Sequence, residues 1–276
     1  MLLALILGAS SAPAADRYAL IISGASGGGK YADDYAKWRT TLAAALRDKL
    51  AFDADRVFVL SETAGSDQST RENVRRVVAA LRERVGPDDL LLVTLIGHGT
   101  NDGISAKFNL VGPDLDAKEW KQLFEGFPAR LIFVDTTGSS FPFLQELAGK
   151  GRVIITATDS SAQRYDTVFP EFFVTALDQL AADSDKNGRI SIWEAFAYAS
   201  QGVQRWYEQR GQLSTEHSLI DDNGDGLGKE AGLPGPDGTL ARGIYLDPEP
   251  SVAGADSVLA GLQKRRQAVE AEIEAL

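Results

Sequence analysis

From Leu90 to Ile96 the chain is almost unbroken in its apolarity, and the run stops at Gly97-His98-Gly99. A short run that is apolar on both faces predicts a strand covered by helices on each side, the situation of a central strand in a parallel sheet. Similar runs predict further strands over Tyr18 to Ile22, Arg56 to Leu60, Arg130 to Asp135 and Arg152 to Thr158, and a short strand or hairpin over Ser105 to Leu110. Between them the apolar spacing changes to three and four. Trp38, Leu42, Ala45 and Leu46 make one stripe over 32–50, and Val74, Val77, Val78, Leu81 and Val85 make another after a capping box of Ser69 and Glu72. Ala117 to Phe127, carrying Trp120 and Leu123, and Phe141 to Leu147 read as shorter helices. Strand and helix alternation of this kind predicts a three-layer α/β/α domain on a mostly parallel sheet of about six strands with right-handed crossovers.

Composition narrows the chemistry. The 276 residues carry a formal net charge of −11, which excludes a nucleic-acid backbone or an anionic membrane surface as a natural partner and favours cations. Cysteine is absent, and with it any disulfide, thiolate metal site or cysteine nucleophile. Residues 1–15 form a short apolar segment ending in Ala12-Pro13-Ala14, a small-x-small pattern expected of a signal peptide. The expected location is therefore secreted or periplasmic, with no integral membrane segment once the signal is removed, since no other run reaches the roughly 20 apolar residues that a span needs.

Two strand ends carry candidate chemistry. The first presents His98; the second runs from Asp135 into Thr136-Thr137-Gly138-Ser139-Ser140, a set of hydroxyls. In parallel sheets ligands gather at these carboxyl ends. The glycine-rich loop after the first strand has the phosphate-loop spacing in Gly24, Gly29 and Lys30, but Tyr31 stands where a magnesium-binding hydroxyl is needed and Asp33 and Asp34 would repel a triphosphate.

These segments together resemble the legumain and caspase group of cysteine peptidases. The likeness is carried by Tyr18 to Gly27, Ile96-Gly97-His98-Gly99, Val134 to Ser140 and Ile154-Ile155-Thr156-Ala157-Thr158, and spans roughly Tyr18 to Leu180. It implies a caspase-like sheet in which His98 takes the histidine position, Asp135 the acid, Thr136 the alanine and Thr137 the nucleophilic cysteine. A threonine hydroxyl ionises far less readily than a thiol and its methyl crowds the attack path. The resemblance therefore implies a catalytically silent relative that holds a peptide or protein ligand. Its alternative is a hydroxyl-nucleophile hydrolase with His98 as base, Thr137 or Ser139 as nucleophile and the Gly99 N–H as oxyanion donor.

Downstream, 183–194 matches a calcium-binding EF-hand loop. Asp183, Asp185 and Asn187 fall at positions one, three and five, and Gly188 at the sharp turn. Arg189 offers its carbonyl, Ser191 a hydroxyl or a water, and Glu194 two closing oxygens. Helical stripes flank it, with Phe172, Phe173, Ala176, Leu177 and Leu180 before and Ile192, Phe196, Ala199, Val203 and Trp206 after. The expected cofactor is Ca2+, and the caspase-like domain, loop included, is expected to cover 16–212. A Gly/Asp-rich region at 213–250 holds a second possible calcium loop at 221–232, with Asp221, Asn223 and Asp225 at the ligand spacing, Leu227 at the carbonyl position, and Gly232 in place of the closing glutamate, for which Glu230 could substitute. His217, alone in a polar loop, reads as structural. Asp247-Pro248-Glu249-Pro250 breaks the chain before an amphipathic helix at 251–276. Its seam of Ala255, Leu259, Leu262, Val269, Ile273 and Leu276 either packs back on the body or supports dimerisation through 252–276.

Overall fold

The computed structural model describes residues 15–248 and Leu262. The expected signal segment up to residue 14 and the rest of the C-terminal seam, with its dimerisation, lie outside the described residues. In chain order the elements are β1 (Arg17–Ser23), α1 (Lys30–Ala44, continued by a wider turn over Ala45–Lys49), β2 (Val57–Leu60), α2 (Arg71–Arg84), β3 (Leu90–Ile96), β4 (Gly99–Asn101), β5 (Ala106–Phe108) and β6 (Leu115–Asp116). They continue with α3 (Ala117–Phe124), β7 (Arg130–Asp135), α4 (Phe141–Leu147), β8 (Val153–Thr156), α5 (Phe169–Asp178), α6 (Ile192–Glu208), β9 (Leu219–Asp221) and α7 (Thr239–Arg242).

Six strands form one sheet in the order β2-β1-β3-β7-β8-β9, parallel except for β9, which runs antiparallel to β8. Side chains alternate between its two faces, as the pleat requires. Ala19, Ile21, Leu92, Val134 and Ile155 pack with Leu42 of α1, Phe173 of α5 and Phe196 of α6. Leu20, Ile22, Val93 and Phe133 pack on the opposite face with Val78 of α2, Trp120 of α3 and Leu144 of α4. The result is a mixed α/β fold with a mostly parallel six-stranded sheet between two helical layers.

Three expectations need correction. The Ser105 to Leu110 segment does not enter the central sheet; it gives β5 of a separate antiparallel sheet, β4-β5-β6. The sixth place goes to β9, from the stretch read as loop, where Leu219 and Ile220 are buried against β8. At α2 the cap is Thr70, whose hydroxyl accepts from the Asn73 N–H at 3.2 Å, because the backbone of Ser69 is already tied to Ser61 after β2 and to Val111 after β5. The compact unit extends through Leu246, so the Gly/Asp-rich stretch up to that point belongs to it. Among the described residues no helix is long and apolar enough to cross a membrane.

Candidate functional site

Parallel pairing of β1 with β3 and of β3 with β7 sets Ser23 beside Ile96 and Leu95 beside Asp135, so the segments leaving the three strands meet at one end of the sheet. Here the chain after β1 returns to β2 on one side while the chain after β3 goes on to β7 on the other, and crevices of open α/β sheets form where that order diverges. His98 stands at this point, its side chain 26% exposed.

The imidazole is held from both ends. Its Nδ1 lies 3.0 Å from Asp166 Oδ1, and its Nε2 lies 3.2 Å from the Ser26 carbonyl oxygen. Tyr31 and Tyr35 meet the ring edge to face at centroid distances of 4.7 and 5.4 Å. The Tyr31 hydroxyl donates to the other oxygen of Asp166. That hydrogen bond and the nearby charge push the Tyr31 phenol up, and burial followed by the Asp166 charge does the same to Tyr35. Asp166 was not legible as a functional residue. It lies in a polar stretch without periodicity, 68 positions after His98.

Thr137 is 1% exposed and its hydroxyl points elsewhere: it donates to Asp135 Oδ1 at 2.7 Å, and the Thr137 N–H donates to the same oxygen at 3.0 Å. Ser139, also 1% exposed, takes a left-handed φ of 55° and sends both its N–H and its hydroxyl to the Gln163 carbonyl. Ser140 pairs with Thr158. Gly99 is fixed by close approach, because a Cβ there would stand 1.9 Å from the Gly138 oxygen and 2.6 Å from the Thr137 hydroxyl. Base, hydroxyls and Gly99 thus converge on one end of the sheet, but His98 Nε2 faces the Ser26 carbonyl while the Thr137 and Ser139 hydroxyls donate to Asp135 and Gln163, so neither hydroxyl is paired with the imidazole.

Segment 163–168 lies over this end like a strap. Gln163 holds Ser139, the Tyr165 carbonyl closes on Gly138, Asp166 holds His98, and the Thr167 hydroxyl donates to the Thr136 carbonyl. Its far end is clamped by Glu216, whose carboxyl accepts from the Val168 and Phe169 N–H groups at 2.9 and 2.8 Å at the start of α5. Burial pushes the Glu216 carboxyl up to about 7 against the effect of those two bonds. Asp135, completely buried with no hydrogen-bond partner on Oδ2, is likewise pushed up to about 7.

The acidic loop between α5 and α6 is organised by its own side chains. Asp183 accepts from the N–H groups of Asn187 and Gly188, Asp185 from that of Asn187, and Asn187 from that of Arg189. Gly188 has φ of 82°, the turn for which glycine is needed. Glu194 closes a capping box with Ser191 at the start of α6 and reaches back to Ser184. Burial works against its charge, but the hydrogen bonds from Ser191 and Ser184 prevail and hold its carboxyl below the ordinary glutamate range. Oxygens of Asp183, Asp185 and Glu194 lie within 4.8 Å of one another, and among the described residues this is the one group of three acidic or histidine side chains so placed.

The second loop repeats part of that scaffold. Asp221 accepts from the N–H groups of Gly224 and Gly226, Asn223 from that of Asp225, and Asp225 from that of Leu227. Asp221 is fully buried and its carboxyl is raised by desolvation. Glu230 faces His217 instead, at 3.6 Å from its Nδ1, and His217 Nε2 lies 3.2 Å from the Ser214 carbonyl.

No family model and no curated relative matches this sequence. Among solved structures, the chain is similar to protein GSU0716 from Geobacter sulfurreducens, at 12% identity and a TM-score of 0.53, over 84% of this chain and 99% of that one. At that identity the likeness is one of fold, and the two chains share an α/β architecture across nearly the whole of the Geobacter protein.

Proposed function

We propose that this is an exported, calcium-binding protein of caspase and legumain type that holds a peptide or protein ligand without cutting it. The observation that carries this reading is the mutual disengagement of His98 and Thr137. The imidazole nitrogens are turned to Asp166 and Ser26, while the hydroxyl at the nucleophile position is buried and donates to Asp135. A weak nucleophile that lacks contact with its base gains nothing from it. The competing reading, a hydroxyl-based hydrolase, has one observation on its side: Asp166 is the orienting carboxylate that such a centre needs.

Calcium belongs to the 183–194 loop. Three carboxylates that converge within 4.8 Å, a neutral Asn187 oxygen and a glycine at the sharp turn make a hard oxygen donor set that suits Ca2+. Asp183, Asp185, Asn187, Glu194, the Arg189 carbonyl and Ser191 would hold the ion, and its contribution is to neutralise the carboxylates and tie α5 to α6. The second loop, with Asp221, Asn223, Asp225 and Leu227, would be a weaker site, because Glu230 is engaged with His217.

The test is retention. A diverse peptide library is passed over immobilised full-length protein in calcium, and the eluate is sequenced by mass spectrometry. The expected result is enrichment of a subset of peptides, recovered at full length. A flow-through indistinguishable from the input, or recovery of the retained peptides as fragments, contradicts the proposal.

A further inference from the structure

A cavity of about 440 Å3 opens beside the His98 centre, walled by the start of α1, Gly97 after β3, the start of α5 and the end of α6. It occupies the crevice where the paths leaving β1 and β3 diverge. Tyr31, Tyr35 and Trp38 of α1 form a row along one wall with successive centroid distances of 6.1 and 6.0 Å, and Trp206 of α6 adds a fourth ring. Asp34, Asp166 and Glu171 set carboxylates among these rings.

Aromatic faces interleaved with carboxylates are the chemistry of cation recognition. The ring quadrupole attracts positive charge, and the carboxylates supply opposite charge and hydrogen-bond acceptors. The protein's own Arg210 shows the attraction at work: its guanidinium lies 3.6 Å from the Trp206 ring centroid and donates to the Trp206 carbonyl. Lys30 and Lys37 also border the opening. The Lys30 side chain is 85% exposed and only reaches to 4.0 Å from Asp34, whose side chain is 35% exposed, and Lys37 is exposed as well. Charges so fully in solvent are screened and do not neutralise Asp34, the most enclosed of the three carboxylates, while Asp166 and Glu171 are themselves exposed. An acidic side chain would meet those carboxylates and a chain of net charge −11, whereas a basic one is drawn by both.

We propose that this cavity receives a lysine or arginine side chain of the bound peptide. The inference rests on the peptide-binding reading above and adds a charge specificity to it.

The experiment uses fluorescein-labelled, end-blocked peptides of alanine and serine that differ at one central position, occupied by Arg, Lys, Gln or Glu. Each is titrated with calcium-loaded full-length protein and followed by anisotropy. Arg and Lys peptides are expected to bind at least tenfold more tightly than the Gln peptide, with the Glu peptide weakest. In the double variant Asp34→Asn, Glu171→Gln, with an unchanged circular dichroism spectrum, the Arg and Lys advantage should fall below threefold. Arg210→Gln, which vacates the Trp206 face, should tighten Arg-peptide binding severalfold. Equal binding of all four peptides, or an advantage that survives the double variant, overturns the charge specificity alone. Failure of every peptide to bind overturns it together with the peptide-binding reading.

Discussion

Chelating calcium is expected to destabilise the full-length chain by about 4 kcal/mol relative to a solution that holds calcium at a thousand times its dissociation constant. For a domain of this size that is a fall in melting temperature on the order of 10 °C. The reason is local. Asp183, Asp185 and Glu194 bring ligand oxygens within 4.8 Å of one another, and like charges at about that distance repel by several kcal/mol in a partly screened environment. The hydrogen bonds that shape the loop come from its own backbone N–H groups, which carry no net charge to offset the three carboxylates. Asp185→Ala separates the ion from the fold, because Asp185 is exposed and its contacts stay within the loop, whereas Glu194 also caps α6. The variant should fold and lose most of the difference in melting temperature between calcium and chelator, keeping only the smaller contribution of the second loop. Calorimetry in both conditions checks this, and a wild-type melting temperature indifferent to the chelator would contradict the calcium assignment.

The second large effect is a pH dependence set by Asp135. Its carboxyl is fully buried and pushed from the usual aspartate range up to about 7, with desolvation outweighing the two hydrogen bonds from Thr137. Below about pH 4 the group is protonated in both folded and unfolded chains and contributes no difference. As the pH rises toward 7 the unfolded chain ionises while the folded chain keeps the proton, so stability falls, by roughly 1.4 kcal/mol per pH unit and on the order of 4 kcal/mol in total. Above 7 the folded carboxyl ionises too and the loss levels off. Asp135→Asn imitates the neutral acid: its oxygen still accepts from Thr137, and its amide takes the place of Oδ2, which has no partner. Urea melts from pH 4 to 8 should show the wild type losing stability relative to this variant as pH rises. Glu216, pushed up by burial in the same way, is present in both proteins and cancels from the comparison. Parallel stability curves for the two proteins would contradict the assignment.

Much of the frame was legible in the sequence because it rests on burial patterns that survive any detail of packing. The run that ends at His98 could only be a covered strand, and the spacing of Val74, Val77, Val78 and Leu81 could only face a core; both elements are where the pattern put them. The order of the acidic loop was readable because the side chains that shape it lie within a few positions of the backbone groups they hold. What escaped depends on distant pairings. β9 is three residues long, and Leu219-Ile220 ahead of an acidic turn is too brief an apolar signal to mark a sheet edge. Asp166 and Glu216 come from polar stretches, and their roles appear only when the strap folds over the strand ends. The orientation of the Thr137 hydroxyl was the most consequential unknown. The residue's identity suggested a poor nucleophile, but its donation to Asp135 depends on where the buried carboxylate turns.

Peptide hydrolysis tests the central claim most directly, with wild type, His98→Ala and Thr137→Cys compared on a diverse library in calcium. The account predicts no cleavage by any of the three, including the thiol variant, because position 137 is buried under the strap and His98 is held by Asp166 and Ser26. Cleavage by the wild type that disappears in His98→Ala would contradict it and establish a hydroxyl-based peptidase.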